Sequence, residues 1–354
     1  MDDQPAQQPT STTYARPQQP AEAFASTLPV ETLTRIFELA LEGFVWPDED
    51  KGQAQRIKYG LVCRSWCSAA LPLPHYVVTS SIKAERLAKM LKAARRSNHI
   101  VTSIDIAASV DEGAGRGPRI AKLLAQCPKL ERLVLQSAVI GGSLLPNSVL
   151  AELLGSWPNL TSLRFHDARY GSHGAFEFKN VSAHLTELFV AASDDLDLTR
   201  ALIEATSNTL KRLFIGEVLP TNGEAVVEAI KLVLPQLTSF TVLDGEQRGS
   251  TSHPTPEPTF LETALKQLTS VESLVVGLHG YDSSNLFTLL SNLKSLRHFC
   301  LEESDITNSY RTHSFAPETV ISFLRSPPPA LRSVKLPLLT WWRYGFDLEN
   351  PLLV

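Results

Sequence analysis

The chain is poor in cysteine: four (Cys63, Cys67, Cys127, Cys300) are spread over 354 residues. So sparse a set excludes the disulfide framework of a small secreted domain. Cys63 and Cys67 are four apart and share a helix face by spacing, but no second pair or histidine cluster completes a zinc site. Reduced thiols in the cytoplasm or nucleus are the expectation. A basic surplus is missing too. The 33 Lys and Arg face 37 Asp and Glu, giving a net charge of -4 and a pI of about 6.2. Proteins that grip phosphate backbones carry a basic excess or stripe, so no nucleic-acid partner is expected, and Lys89, Lys92, Arg95 and Arg96 read as a solvated helix face. No apolar run approaches the roughly 18–20 residues of a membrane span, so no membrane partner is expected either. Residues 1–25 hold five Gln, four Pro and no Leu, Ile or Val. They lack the apolar stretch of a secretory leader and read as a disordered tail.

Catalytic signatures are also missing. The chain has no G-x-S-x-G, no H-E-x-x-H and no G-x-x-x-x-G-K-[ST]. Gly113-Ala114-Gly115-Arg116-Gly117-Pro118 follows a strand pattern and precedes a helix pattern. Pro118 stands where a dinucleotide fingerprint has its last glycine, so the segment reads as a flexible loop. His166, His184 and His279 are isolated in sequence. No catalytic residue, cofactor or metal is expected.

Leucine is abundant and unevenly placed. Of 52 leucines, 9 lie in the first 100 residues and 43 in the remaining 254. A triplet of the form L-x-x-L-x-L, allowing Ile, Val or Phe, recurs nine times. Its anchors are Val101, Ile104, Ile106; Leu130, Leu133, Leu135; Leu160, Leu163, Phe165; Leu185, Leu188, Val190; Leu210, Leu213, Ile215; Leu237, Phe240, Val242; Val271, Leu274, Val276; Leu296, Phe299, Leu301; and Leu331, Val334, Leu336. The steps between first anchors run from 25 to 35 residues. The last two anchors, two apart, share one face of a strand. Apolar residues at helical spacing lie between the triplets, as in Ile120, Leu123, Leu124 and Val226, Val227, Ile230, Leu234, and proline follows several of them.

One strand and one helix per unit, stacked on the next, predicts a leucine-rich-repeat solenoid over residues 77–354. An ordinary α/β sheet domain is the alternative. Positions that normally carry Asn or Cys in such repeats hold Ser109, Ala138, Ala168, Ser193, Val218, Gly245, His279, Ser304 and Leu339, so the expected horseshoe is irregular. Segment 166–184 lacks a helix pattern. Residues 244–259 and 303–317 read as surface loops, and Trp341, Trp342 and Tyr344 as a cap on the last repeat.

The leucine-poor front differs. Leu33, Ile36, Phe37, Ala40 and Leu41 form one helix face. Pro29 and Glu31 suit its first turn. Residues 46–52 read as a loop, and Ile57, Leu61, Val62 and Trp66 as a second helix. His75 to Thr79 reads as a short strand.

Leu28-Pro29-Val30-Glu31, then Ile36-Phe37, then Leu61-Val62-Cys63-Arg64-Ser65-Trp66 resembles the F-box motif. With the repeats behind it, the chain resembles the F-box/leucine-rich-repeat proteins, in the style of fungal members. The resemblance implies all-α F-box helices over residues 26–76, followed by an α/β leucine-rich-repeat solenoid. It implies a non-catalytic subunit of an SCF-type ubiquitin ligase that docks on a Skp-family adaptor and, through it, a cullin. The family's adaptor-facing positions map to Leu28, Pro29, Ile36, Phe37, Val62, Cys63 and Trp66. Packing of the helices on each other is the competing role for Phe37 and Trp66. The stretch before Val62 is longer than the family's common form, with an inserted loop around Trp46–Gln55.

Residues flanking the second and third anchors face away from the core. Among them, Phe189 and Phe214 hold equivalent places in successive units, with Arg164 and Arg212 beside them. These four are the candidate residues for binding a protein substrate, against the alternative that a loop or the C-terminal tail covers them. A protein-interaction scaffold working outside a ligase is the second functional expectation, and an enzyme on a repeat-like α/β fold the third.

Overall fold

The first eight triplets encode the same local event: a buried first anchor, a turn, then a strand whose second and third anchors point inward. The computed structural model describes residues 28–41, 49–60, 62, 64–70, 73–93, 100–107, 116–136, 139–140, 147–166, 169–170, 183–190, 196–218, 223–244, 259–277, 285–302 and 317–336. The expected tail at 1–25, the Gly113–Gly115 loop and the cap residues Trp341, Trp342 and Tyr344 lie outside them. The chain divides into two compact units, Met1–Leu71 and Pro72–Val354.

Among the described residues the first unit holds three helices, α1 (Val30–Leu41), α2 (Glu49–Gly60) and α3 (Arg64–Ala70). Pro29 begins α1 through its carbonyl, which accepts the Leu33 N–H at 3.0 Å. Leu33 and Phe37 bury one face of α1 against Ala69 and Ala70 of α3. The small alanines let the helices approach until the Thr34 hydroxyl donates to the Ala69 carbonyl at 3.3 Å. Phe37 stacks on Tyr59 at 4.9 Å and meets Trp66 edge-on at 5.1 Å. The expected loop at 46–52 is thus helical from Glu49, and the expected second helix is split by a turn in which Val62 N–H reaches the Tyr59 carbonyl. Segment 49–60 is mostly polar and shows no strong periodicity; Tyr59, which touches both Phe37 and Trp66, ties it to the core.

The second unit runs β1 (His75–Val78), α4 (Ser81–Ala93), β2 (Ser103–Ala107), α5 (Arg116–Leu124), β3 (Arg132–Gln136), β4 (Val139–Ile140), α6 (Asn147–Ser156), β5 (Ser162–His166), β6 (Arg169–Tyr170) and β7 (Glu187–Val190). It continues with α7 (Leu196–Ala205), β8 (Arg212–Val218), α8 (Gly223–Val233), β9 (Ser239–Asp244), α9 (Thr259–Gln267), β10 (Ser273–Gly277), α10 (Leu286–Ser291), β11 (His298–Leu301), α11 (Pro317–Arg325) and β12 (Ser333–Lys335). Ten strands form one sheet in the order β1-β2-β3-β5-β7-β8-β9-β10-β11-β12, every pair parallel, and β4 and β6 pair separately.

The register follows the triplets. Ile104, Leu133, Leu163, Leu188, Leu213, Phe240, Leu274, Phe299 and Val334 are partners from strand to strand. The first eight are buried, as are the first anchors from Val101 to Leu296. Burying each such side chain contributes roughly 1.5–3 kcal/mol. A second ladder runs along the strand entries. The carbonyls of Pro74, Thr102, Glu131, Thr161, Thr186, Lys211, Thr238, Glu272 and Arg297 each accept two N–H groups from the next strand's entry. The hydroxyls of Thr102, Thr161, Thr186 and Thr238 add a third donor to the same carbonyls.

This architecture corrects the expected fold class. The second unit is a ten-stranded all-parallel sheet alternating with helices, an α/β arrangement, where an irregular leucine-rich-repeat horseshoe was expected. The physical reason lies in what the triplet specifies. It sets a strand entry and two inward side chains, and a parallel α/β sheet with helical crossovers needs both as well. The positions that would have separated the two, from Ser109 and Ala138 to Leu339, carry no asparagine or cysteine. Between β5 and β7 no helix lies among the described residues.

Candidate functional site

On every strand the residues between the inward anchors form the opposite sheet face. Strand register sets them in rows. One row reads His75, Ser103, Arg132, Ser162, Glu187, Arg212, Ser239, Ser273, His298, Ser333; the next reads Val77, Asp105, Val134, Arg164, Phe189, Phe214, Thr241, Val275, Cys300, Lys335.

The middle of this face concentrates charge and aromatic surface. Glu187 is almost fully buried. Its Oε1 accepts from Arg164 Nε at 2.6 Å and lies 2.5 Å from Arg164 Nη2, with the Ser162 hydroxyl at 3.2 Å. Its Oε2 lies 2.9 Å from Arg212 Nη2. A carboxylate so placed is tolerated in a low-dielectric setting because it is paired and hydrogen-bonded on both oxygens. Beside it Phe189 stacks on Phe214 with centroids 3.8 Å apart. His166 lies 4.4 Å from Phe189 on the other side, and the Arg164 guanidinium sits 5.9 Å from the Phe189 ring centre. One strand further out, Arg132 Nη2 is 3.7 Å from Asp105.

The four residues singled out from the sequence, Arg164, Phe189, Arg212 and Phe214, therefore come together. Glu187, which organises them, was missed. A signal existed: the position before the second anchor reads Arg132, Ser162, Glu187, Arg212 in successive units, so once the units are aligned the acid stands beside Arg212, with Arg164 two residues after Ser162 on the other neighbouring strand.

The first unit places its candidates differently. Phe37 is 2% exposed and belongs to the core. Trp66 and Leu28 are partly buried and pack on that core. Those positions support the packing role for Phe37 and Trp66. Ile36 is 44% exposed, Leu39 52% and Val62 62%, and Pro29 is exposed. Cys63 lies outside the described residues.

Among the described residues, few groups suited to chemistry gather elsewhere. Among the described residues no three His, Cys, Asp or Glu side chains cluster to hold a metal. His75 meets Ser103 at 2.9 Å and His298 meets Ser333 at 2.8 Å, both as cross-strand neighbours. The Cys127 thiol is pushed up to about 12 by burial, and burial also raises that of Cys300. Neither is a poised nucleophile. Among the described residues no helix is long and apolar enough to cross a membrane.

No family model matches the chain, and no curated protein matches it.

Proposed function

We propose that the protein is a non-catalytic substrate receptor of an SCF-type ubiquitin ligase. In this reading the first unit docks on a Skp-family adaptor, and through it on a cullin, while the sheet face of the second unit holds a protein substrate. The observation that carries the reading is in the first unit. Its small core is formed by Leu33, Phe37, Ala69 and Ala70, while Ile36, Leu39 and Val62 are exposed. Ile36 and Leu39, three apart on α1, share one exposed apolar face, and such a face favours a partner surface. Pro29, Ile36 and Val62 are also positions where the chain resembles the F-box motif. Of the positions that resemble the motif, Pro29, Ile36 and Val62 are exposed, Leu28 and Trp66 are partly buried, and Phe37 is buried.

Co-expression of the full chain with a Skp-family adaptor tests this. A stoichiometric complex is expected, and Ile36→Glu with Val62→Glu abolishes it while leaving the far-UV spectrum unchanged. Both side chains are exposed, so charge there costs little folding energy. Absence of a complex, or a complex indifferent to both substitutions, contradicts the reading.

A further inference from the structure

We propose that the Arg164–Glu187–Arg212 cluster and the Phe189–Phe214 stack bind an extended peptide carrying one acidic side chain two positions from an aromatic or large aliphatic one. This rests on the reading that the sheet face of the second unit holds a protein segment, and it names the chemistry of that segment.

Charge sets the first requirement. Two guanidinium groups share the single carboxylate of Glu187, so among the described residues the cluster carries one surplus positive charge. The two arginines differ. Arg164 is committed, with Nε and Nη2 both on Glu187 Oε1. Arg212 Nη2 lies 2.9 Å from Glu187 Oε2, and its side chain is 59% exposed. A guanidinium has five N–H donors and takes a carboxylate along one edge by two parallel hydrogen bonds. At 59% exposure, Arg212 is the arginine of the pair more open to such a contact. A single carboxylate matches the surplus charge, whereas a phosphate monoester brings nearly two negative charges.

Spacing sets the second requirement. Phe214 follows Arg212 by two residues on β8, so the two side chains share a face about 7 Å apart. In an extended peptide, side chains at i and i+2 also share a face about 7 Å apart. An acid on Arg212 thus places the side chain two positions away over the Phe214 and Phe189 rings. Aromatic side chains with arginine also suit single-stranded nucleic acid, but that binding needs a positive groove along the backbone. Here Glu187 and Asp105 offset two of the three arginines on this part of the face, and the chain's net charge is -4.

The test is selection of a displayed library of random 12-residue peptides on the immobilised full chain. Affinities of enriched synthetic peptides are then read by fluorescence anisotropy. Enriched peptides are expected to share an Asp or Glu two positions, in either direction, from Phe, Tyr, Trp, Leu or Met. Changing that acid to its amide, Arg212→Gln and Phe214→Ala are each expected to weaken binding about tenfold or more. Amide peptide and Arg212→Gln together should weaken it no further than either alone. Lys335→Ala, at the last strand, should leave it unchanged. The peptide-side substitution keeps the test decisive even where a protein variant folds poorly. No enrichment, enrichment without acidic bias, equal affinity for the amide peptide, or displacement by a 12-nucleotide oligo-dT overturns the proposal. Adaptor co-purification by the Arg212→Gln chain, read in parallel, separates failure here from failure of the docking reading.

Discussion

Glu187 illustrates how single residues set the character of the sheet face. Its carboxylate is held by two arginines and a serine, and Glu187→Gln leaves Arg164 and Arg212 as neighbouring cations. That substitution is expected to lower stability by about 1–3 kcal/mol in urea unfolding, with Arg164 as the main source because Arg212 is well solvated. Stability unchanged within error would show that the cluster is only a surface pair. Cys127 offers a second check. Burial raises its pKa from 9.0 to about 12. The unfolded thiol loses its proton above pH 9 while the folded one keeps it, so the contribution is intact below pH 9. It falls by up to about 1.4 kcal/mol per pH unit between 9 and 12. In the native protein at pH 8, Cys127 should resist iodoacetamide and react only on denaturation, as read by mass spectrometry. Rapid native alkylation would contradict its burial. At this scale the neighbouring places of Phe189 and Phe214 were legible, because equal triplet positions become cross-strand partners. The central acid was not, because a lone glutamate between repeats looks like ordinary solvated surface until its register partners are known.

Among elements, the strands were the most legible. Period-two anchors preceded by a buried turn residue specify strand, face and register together, and β2 through β12 of the main sheet begin where the triplets place them. The alternation is testable on β9. Phe240 is fully buried and Thr241 half-buried on the other face. Phe240→Ala should cost about 3–5 kcal/mol, and Thr241→Ala should stay within about 0.5 kcal/mol of the parent, both by chemical denaturation. Similar costs at the two positions would contradict the assigned faces. Helix α2 was illegible because Glu49–Gly60 is polar and contains Gly52. Its tie to the core is a tertiary contact of Tyr59 that local pattern does not carry. The β4–β6 pair escaped because two-residue strands have no period to detect. The fold class itself was misjudged for a related reason. The triplet describes how a strand is entered and what it buries, and it is silent on whether the stacked units make a repeat horseshoe or a parallel α/β sheet.

At the scale of the whole molecule, composition bias separates two units of different character. The leucine-poor first unit closes a small core and leaves apolar side chains outside it; the leucine-rich second unit builds the sheet. In the proposed function the first unit attaches the chain to a ligase and the second carries what is to be modified. Docking rests on Ile36 and Val62, both exposed where Phe37 is buried, and it is tested most directly by co-purification of the full chain with a Skp-family adaptor and cullin. A one-to-one adaptor complex is expected, one that survives Arg212→Gln and is lost with the paired Ile36→Glu and Val62→Glu substitutions. A chain that purifies without adaptor, or that holds the adaptor equally well with both charges in place, would contradict it.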